Sequence, residues 1–339
     1  METKHLIDVV IPWVDDRDPN WRAQKAQYSG IKSEDNSDAR YRDWDNLQYL
    51  FRGIEKFWPW VNKVYFITCG QKPEWLNVQC EKLRLVNHTD YIPAEFLPTF
   101  NSNTIEMNLH RINDLSEHFI YLNDDFFPIR PLKPTDFFVD GLPCDSAEQS
   151  TLLSIWTPND TTIQYIDFTN LGLINAHFRK HTTTQHHRLK WFGTYLGLHG
   201  IIQALLKANQ RFFTGFTMHH SAQSFLKSSF KKVWDTYPNY LYTQSQNKFR
   251  QKTDVNQWLV RYWQLAENNF HPYSMKHRRL FNVDINNIDE IAEAIRRQYY
   301  DVITVNDNPN ISPSDFEHAK STINSAFETI LPNKSSFEI

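Results

Sequence analysis

Four consecutive large apolar residues, Phe119 to Leu122, run directly into Asn123, Asp124 and Asp125. Such a run reads as a buried strand, and two adjacent carboxylates cannot follow it into an interior unpaired. The acids therefore belong at a strand end, over a cleft. Hard oxygen ligands at such a place suit a divalent cation, Mg²⁺ or Mn²⁺. Mg²⁺ commonly takes one or two carboxylates and completes its shell with water and substrate phosphate. Asp and Asn are also ordinary turn formers, so the tripeptide alone leaves a plain turn open.

The rest of the chain supplies the sheet that such a strand needs. Leu6 to Val14 reads as a first strand ending in Asp15, Asp16, Arg17 and Asp18, and the polar stretch Ser29 to Asp38 as an exposed loop. Leu47, Leu50, Phe51, Ile54 and Phe57 recur at helical spacing between Asp45 and Phe57. Val64 to Thr68 and Leu83 to Val86 are two further strands. Strand, helix, strand at these separations predicts a mostly parallel sheet flanked by helices. A helix from about Thr104 to Leu115 leads into the Phe119 strand. Ligands of open α/β sheets collect beyond the carboxyl ends of strands, so the two acidic strand ends should face one crevice. Later, Phe225, Leu226, Phe230, Val233 and Trp234 mark the apolar face of one helix, and Val255, Trp258, Leu259 and Tyr262 that of another. Asp254 and Asn256 are candidate caps for the second. A helix around Ile288 to Tyr299 leads to a short strand, Val302 to Val305, which ends in Asn306, Asp307 and Asn308.

From about Gly141 to Gly215 the pattern weakens. His177, His181, His186 and His187 fall there, at a spacing that fits a solvated basic loop or an acceptor-binding lobe better than zinc. Charge excludes a broad class of partners: 36 basic against 39 acidic residues give a net charge of −3, no field that would gather nucleic acid. An anionic substrate must then be held by local groups. The 11 Trp, 15 Tyr and 24 Phe are compatible with sugar stacking, but an aromatic core accounts for the larger share. Cys69, Cys80 and Cys144, odd in number and without CxxC spacing, predict no disulfide framework and a reducing compartment. No apolar stretch approaches the roughly 20 residues of a membrane span, and the first residues lack a signal peptide's apolar segment. A soluble protein is expected, with peripheral membrane association left open.

Four blocks in order carry a resemblance. They are Ile7 to Pro19; Tyr41 to Leu47, continuing through Pro59-Trp60, Gly70-Gln71 and Leu97 to Ser102 to Phe119–Asp125; Met218 to His220 with Lys248 to Asn256; and Val305 to Asn308 with the tail Leu331 to Glu338. Together they resemble the Stealth family of sugar-phosphate transferases, which includes bacterial capsular-polysaccharide phosphotransferases and the lysosomal-enzyme N-acetylglucosamine-phosphotransferase. The resemblance implies a glycosyltransferase-A-like α/β fold with a helical or irregular inserted lobe. It implies a nucleotide-sugar donor, UDP-linked by expectation, and transfer of the sugar with its proximal phosphate to a hydroxyl of a glycan acceptor, free or lipid-linked. It further implies a bacterial cytoplasmic enzyme of capsule or cell-wall polymer synthesis, placed at the inner face of the membrane if it associates there. Residues 1–140 would form the nucleotide-sugar half, 141–215 a variable lobe on the acceptor side, and 216–339 a catalytic His/Arg segment with the closing strand of the same domain.

Phosphoryl transfer asks a protein to position phosphates, neutralise their charge and free the attacking hydroxyl of its proton. Asp124 and Asp125 are the expected metal ligands, with Asn123 orienting the carboxylates or a sugar hydroxyl. His220 is the expected base, since imidazole titrates near neutrality, although His219 beside it leaves the choice within the pair open. Arg250 is the expected phosphate clamp, because a guanidinium donates two parallel hydrogen bonds and stays charged. Arg42 is a second phosphate candidate. Asp15, Asp16 and Asp18 are expected to line the nucleotide or sugar pocket, and Asn306 and Asp307 to close it. Acidic strand ends fit a Mg²⁺-dependent glycosyltransferase releasing a nucleoside diphosphate equally well, so the four blocks alone favour phosphotransfer. A non-catalytic carbohydrate-binding protein would leave those acids without a purpose.

Overall fold

Strand β1 (Ile7–Pro12) occupies the middle of a five-stranded sheet in the computed structural model, which describes residues 5–29, 43–153, 162–308 and 310–339. Its one charged residue, Asp8, is fully buried yet satisfied by Asn62 Nδ2 at 2.7 Å and the backbone N–H of Ser116 at 2.8 Å. Helix α1 (Pro19–Tyr28) follows, capped by Asp18 and started by Pro19. Helix α2 (Leu47–Phe57) buries Leu50, Phe51, Ile54 and Phe57, the face its spacing predicts. Strands β2 (Val64–Thr68) and β3 (Leu83–Asn87) then add in parallel on one side of β1, with Val9 opposite Val64 and Val64 opposite Leu83.

Helix α3 (Ser102–Met107), capped by Asn101, is shorter than the stretch to Leu115 that the apolar spacing predicts. The Asn108 amide donates back to the carbonyl of Thr104 at 2.8 Å, and a 3₁₀ turn at Leu109–Arg111 takes over. A polar side chain bonding its own backbone competes with continued helix at that point. Strand β4 (His118–Tyr121) joins the other side of β1, again in parallel, and the short β5 (Phe126–Pro128) comes after the Asn123–Asp125 loop. Strands β6 (Phe138–Val139) and β7 (Leu142–Asp145) form a small hairpin.

The weakly patterned region is largely helical among its described residues: α4 (Thr162–His177), α5 (Lys180–Gln185), α6 (Arg188–Trp191) and α7 (Gly197–Leu206). Phe225 and Leu226, expected on a helix, instead belong to strand β8 (Gln223–Leu226), which runs antiparallel to β4 with Phe225 opposite Phe119. Their side chains satisfy either pattern, and the open edge of β4 decides it. Helix α8 (Lys227–Thr236) starts directly afterwards, followed by α9 (Pro238–Ser245) and α10 (Gln257–Ala266), the last capped by Asn256 as expected. Strand β9 (His271–Pro272) pairs with β7. Strand β10 (Arg278–Asn282), helix α11 (Ile288–Arg296), strand β11 (Val302–Asn306) and helix α12 (Pro313–Ile330) end the order, with β11 parallel to β10 and antiparallel to β5.

The sheet is covered on both faces. Side chains alternate along each strand: Val9, Ile11, Phe66 and Ile120 join a core with α2, α11 and α12, while Val10, Tyr65, Ile67, Phe119 and Tyr121 join a second core with α8 and α10. The tail is tied to α2. Arg52 forms a bidentate pair with Glu338, at 2.9 and 2.8 Å, and donates to the Leu331 carbonyl at 2.9 Å. The fold is therefore α/β, with a mostly parallel central sheet flanked by helices.

Candidate active site

A cleft of about 510 Å³ opens beyond the carboxyl ends of β1 and β4. Asp15, Asp16, Asn123, Asp124, Asp125, His220, Arg250, Asn306 and Asp307 all line it. The expected convergence of segments remote in sequence is thus met for nine positions. Asp18 does not line the cleft; it caps α1, accepting from Asn20 N at 2.8 Å and Gln71 Nε2 at 3.0 Å. Nor does His219 line it. Arg42, and residues 30–38 of the loop expected from Ser29 to Asp38, lie outside the described residues.

Local pairing fixes the acid loop after β1. Gln71 bonds both the N–H and the carbonyl of Asp15, at 2.8 and 2.7 Å. Asp15 meets Arg17 at 3.2 Å and Asp16 meets Arg22 at 3.4 Å. Burial raises the Asp16 carboxyl above its ordinary value, against the pull of Arg22. These carboxylates are held in place by Arg17 of their own loop and Arg22 of α1, so they line the cleft without forming a bare anionic cluster.

The loop after β4 is pinned at both ends. Leu122 N–H donates to Val10 O at 2.9 Å, Phe126 N–H to Asn123 O at 3.2 Å, and Val305 N–H to Asp125 O at 3.0 Å. The last bond joins the β11 end, and so Asn306 and Asp307, to the acid pair. Asp125 Oδ1 is buried with no hydrogen-bond partner among the described residues. Crowding by the cleft walls, with the Asp125 charge second, pushes the Asp124 carboxyl up to about 7, although solvent still reaches it and tempers that shift. Among the described residues no three or more His, Cys, Asp or Glu side chains are grouped to hold a metal. A cation here would rest on two carboxylates and on ligand oxygens, as Mg²⁺ commonly does.

His220 Nε2 lies 3.8 Å from Asp125 Oδ2, and its ring stands edge-on to Phe126 at 4.9 Å between centroids. Its backbone is fixed from several sides. Thr304 Oγ1 donates to His220 O at 2.7 Å, Arg261 Nη1 to Thr217 O at 3.0 Å, and Arg278 to Ala222 O. Arg261 is itself fully buried against Asp145, Nε to Oδ2 at 2.9 Å and Nη2 to Oδ1 at 2.9 Å. His219 points away from the cleft, 3.7 Å from Glu148 Oε2, and burial, with the Arg261 and Arg278 charges, holds its imidazole down at about 3. It stays neutral and off the cleft surface, which leaves His220 as the histidine of the pair that faces the acids.

Arg250 reaches the cleft from the segment between α9 and α10, bonding Ser102 Oγ through Nε at 3.0 Å and Nη2 at 2.5 Å. Asp254 organises that segment. It is fully buried and accepts from Asn101, Asn103 and Asn247 side chains at 2.8, 3.1 and 3.1 Å, and from Gln251 N–H at 3.0 Å. The expected capping role thus falls to Asn256 alone. One acid escaped sequence reasoning. Glu106 of α3 lines the cleft from its floor, accepts from Tyr121 Oη at 3.1 Å, and is pushed by burial up to about 7 against the pull of Arg250. A single Glu between Ile105 and Met107 carries no signal of burial. The aromatic wall was equally hidden: Trp21 meets Phe100 edge-on at 5.7 Å, and Phe100 stacks on Phe249 at 5.5 Å.

Residues 7–33 match the family model of Stealth protein CR1, conserved region 1, and residues 40–144 that of Stealth protein CR2, conserved region 2. The receptor polysaccharide phosphotransferase WefC of Streptococcus oralis is 38% identical, over 98% of this chain and 99% of its own. The capsular polysaccharide phosphotransferase WcwK of Streptococcus pneumoniae is 37% identical, over 100% and 99%. The solved galactosyltransferase LgtC, in complex with donor and acceptor sugar analogs, aligns over 94% of this chain and 95% of its own at 10% identity, with a TM-score of 0.38.

Proposed function

Because this chain belongs to the Stealth family, whose members similar to it are polysaccharide phosphotransferases, we propose that it transfers a sugar-1-phosphate from a nucleotide-sugar donor, UDP-linked, to a hydroxyl of a glycan acceptor. The observation that carries the reading is the meeting of His220, Asp125 and Arg250 on one cleft. Each answers one need of phosphoryl transfer.

In this reading the acceptor hydroxyl loses its proton to His220 Nε2, and its oxygen forms a bond to the phosphorus nearer the sugar. The P–O–P bridge breaks, and the nucleoside monophosphate leaves with the bonding electron pair. Arg250 donates to the phosphate oxygens, with Nε and Nη2 of its guanidinium bonded to Ser102 Oγ. Asp124 and Asp125 would hold Mg²⁺ or Mn²⁺, whose charge would offset that of the diphosphate; the partnerless Asp125 Oδ1 supports that assignment. Asn306 and Asp307 close the cleft over the donor, and Asp15 and Asp16 line it as well. The Trp21, Phe100 and Phe249 rings offer a stacking surface for base or sugar.

Product analysis tests this directly. Incubation with nucleotide sugars and a glycan acceptor should release nucleoside monophosphate and give a new phosphodiester resonance by ³¹P NMR. Release of nucleoside diphosphate without that resonance identifies a glycosyltransferase instead.

A further inference from the structure

Helix α7 presents Gly200 and Ala204 to the interior and leaves Leu198, Ile202, Leu205 and Leu206 in water, with 77%, 45%, 59% and 72% of their surface exposed. At spacings of four, seven and eight residues they form one stripe along a helix that carries no acidic residue. Isolated exposed leucines are ordinary, but four on one face mark an interaction surface. Neither a solvated loop nor a sugar-binding lobe accounts for them.

The segment that carries the stripe is lopsided in charge. Residues 162–215 contain Arg179, Lys180, Arg188, Lys190, Lys207 and Arg211 against a single carboxylate, Asp167, in a chain whose net charge is −3. Just past the helix, the exposed Arg211 lies with its guanidinium 5.1 Å from the ring centre of Phe212, itself 40% exposed. Of these charged residues, Arg179, Arg188 and Arg211 are exposed while Lys180, Lys207 and Asp167 are buried, and Glu148 packs under Gly200 on the interior side of α7. The segment's exposed charges are therefore cationic and, with the apolar stripe, complement an anionic, apolar interface. A second copy of the chain would instead bring like charges together. Among the described residues no helix is long and apolar enough to cross a membrane, so α7 would lie in the interfacial plane.

We propose that α7, with the Arg211–Phe212 turn, docks this protein on the surface of an anionic phospholipid bilayer. This goes beyond the proposed reaction and does not depend on the donor chemistry.

Flotation of the full chain with vesicles tests it without reference to catalysis. The protein should float with phosphatidylglycerol–phosphatidylcholine vesicles, not with phosphatidylcholine alone, and less so as salt rises. The double variant Leu198→Gln/Leu206→Gln should partition about tenfold less or worse, since each inserted leucine contributes on that scale. Its thermal melt should match the parent. Arg211→Glu should weaken binding independently, and covers the case of a double variant that folds poorly. Absence of flotation by the parent overturns the proposal, as do vesicle binding unchanged in both variants and a parent dimer that the double variant converts to monomer.

Discussion

His219 and His220 are neighbours with opposite environments, and substitution should separate them. His220→Ala removes a side chain facing the acids at 3.8 Å and should lower single-turnover rates by roughly two to four orders of magnitude if it is the general base. His219→Ala removes a half-buried side chain near Glu148, so it should lower the melting temperature and leave the rate far less affected. Equal rate losses in the two variants would remove His220 from the role. Asp167 gives a second residue-scale expectation. Burial pushes its carboxyl from 3.8 up to about 7, and its Oδ1 has no hydrogen-bond partner among the described residues. A folded-state pKa raised above the unfolded value favours folding fully below about pH 4, an advantage lost as pH rises through 7. Asp167→Asn should therefore match the parent near pH 4 and be more stable at pH 8, by at most about 4 kcal/mol. Melts at the two pH values check this, and an equal difference at both would show that Asp167 is not held protonated.

At the scale of elements, His220 depends on a loop clamped between β8 and the α10 arginine. Arg261 donates to Thr217 O while its other nitrogens meet Asp145, both side chains fully buried. Arg261→Met leaves an uncompensated interior carboxylate and should cost about 3–5 kcal/mol in urea unfolding. Asp145→Asn/Arg261→Met should recover part of that stability and little of the activity, because the Thr217 carbonyl still lacks its donor. Full recovery of turnover in the double variant would show that the clamp does not position His220. The elements legible in the sequence were those whose burial is one-sided or complete over a whole repeat. The α2 stripe, the β2 run and the β11 run each give a single period. Phe225 and Leu226 misled because two adjacent apolar residues before Phe230 fit helix and strand alike, and only the unpaired edge of β4 selects the strand. The meeting of the acid pair and His220 on one cleft is legible through block order and charge. Glu106, Phe100 and Phe249 were not, since their burial depends on which segments meet around them.

On the scale of the molecule, the cleft exists only once the sheet is complete, because Asp15, Asp125, His220, Arg250 and Asn306 come from strands and loops spread along almost the whole chain. A ligand bridging these walls binds the native state and not the unfolded one. It should stabilise global unfolding by about 2.7 kcal/mol at a hundred times its dissociation constant. Without a ligand the same walls carry the opposite tendency. Asp124 sits against Asp125 in a crowded cleft, and its carboxyl is raised from 3.8 to about 7, so its contribution to stability is lost as pH rises through that range. At pH 8 without metal, Asp124→Asn should accordingly melt higher than the parent, by an amount that solvent access to the side chain keeps modest. Adding Mg²⁺ with UDP should then raise the parent and leave the variant where it was, reversing or closing the order of the two. If the variant gains as much as the parent from Mg²⁺ and UDP, the cation does not sit on Asp124. If neither gains while UDP alone shifts both, the nucleotide binds without a metal and the acid pair serves some other end. The two melting curves thus separate a carboxylate placed for a cation from one placed for the fold.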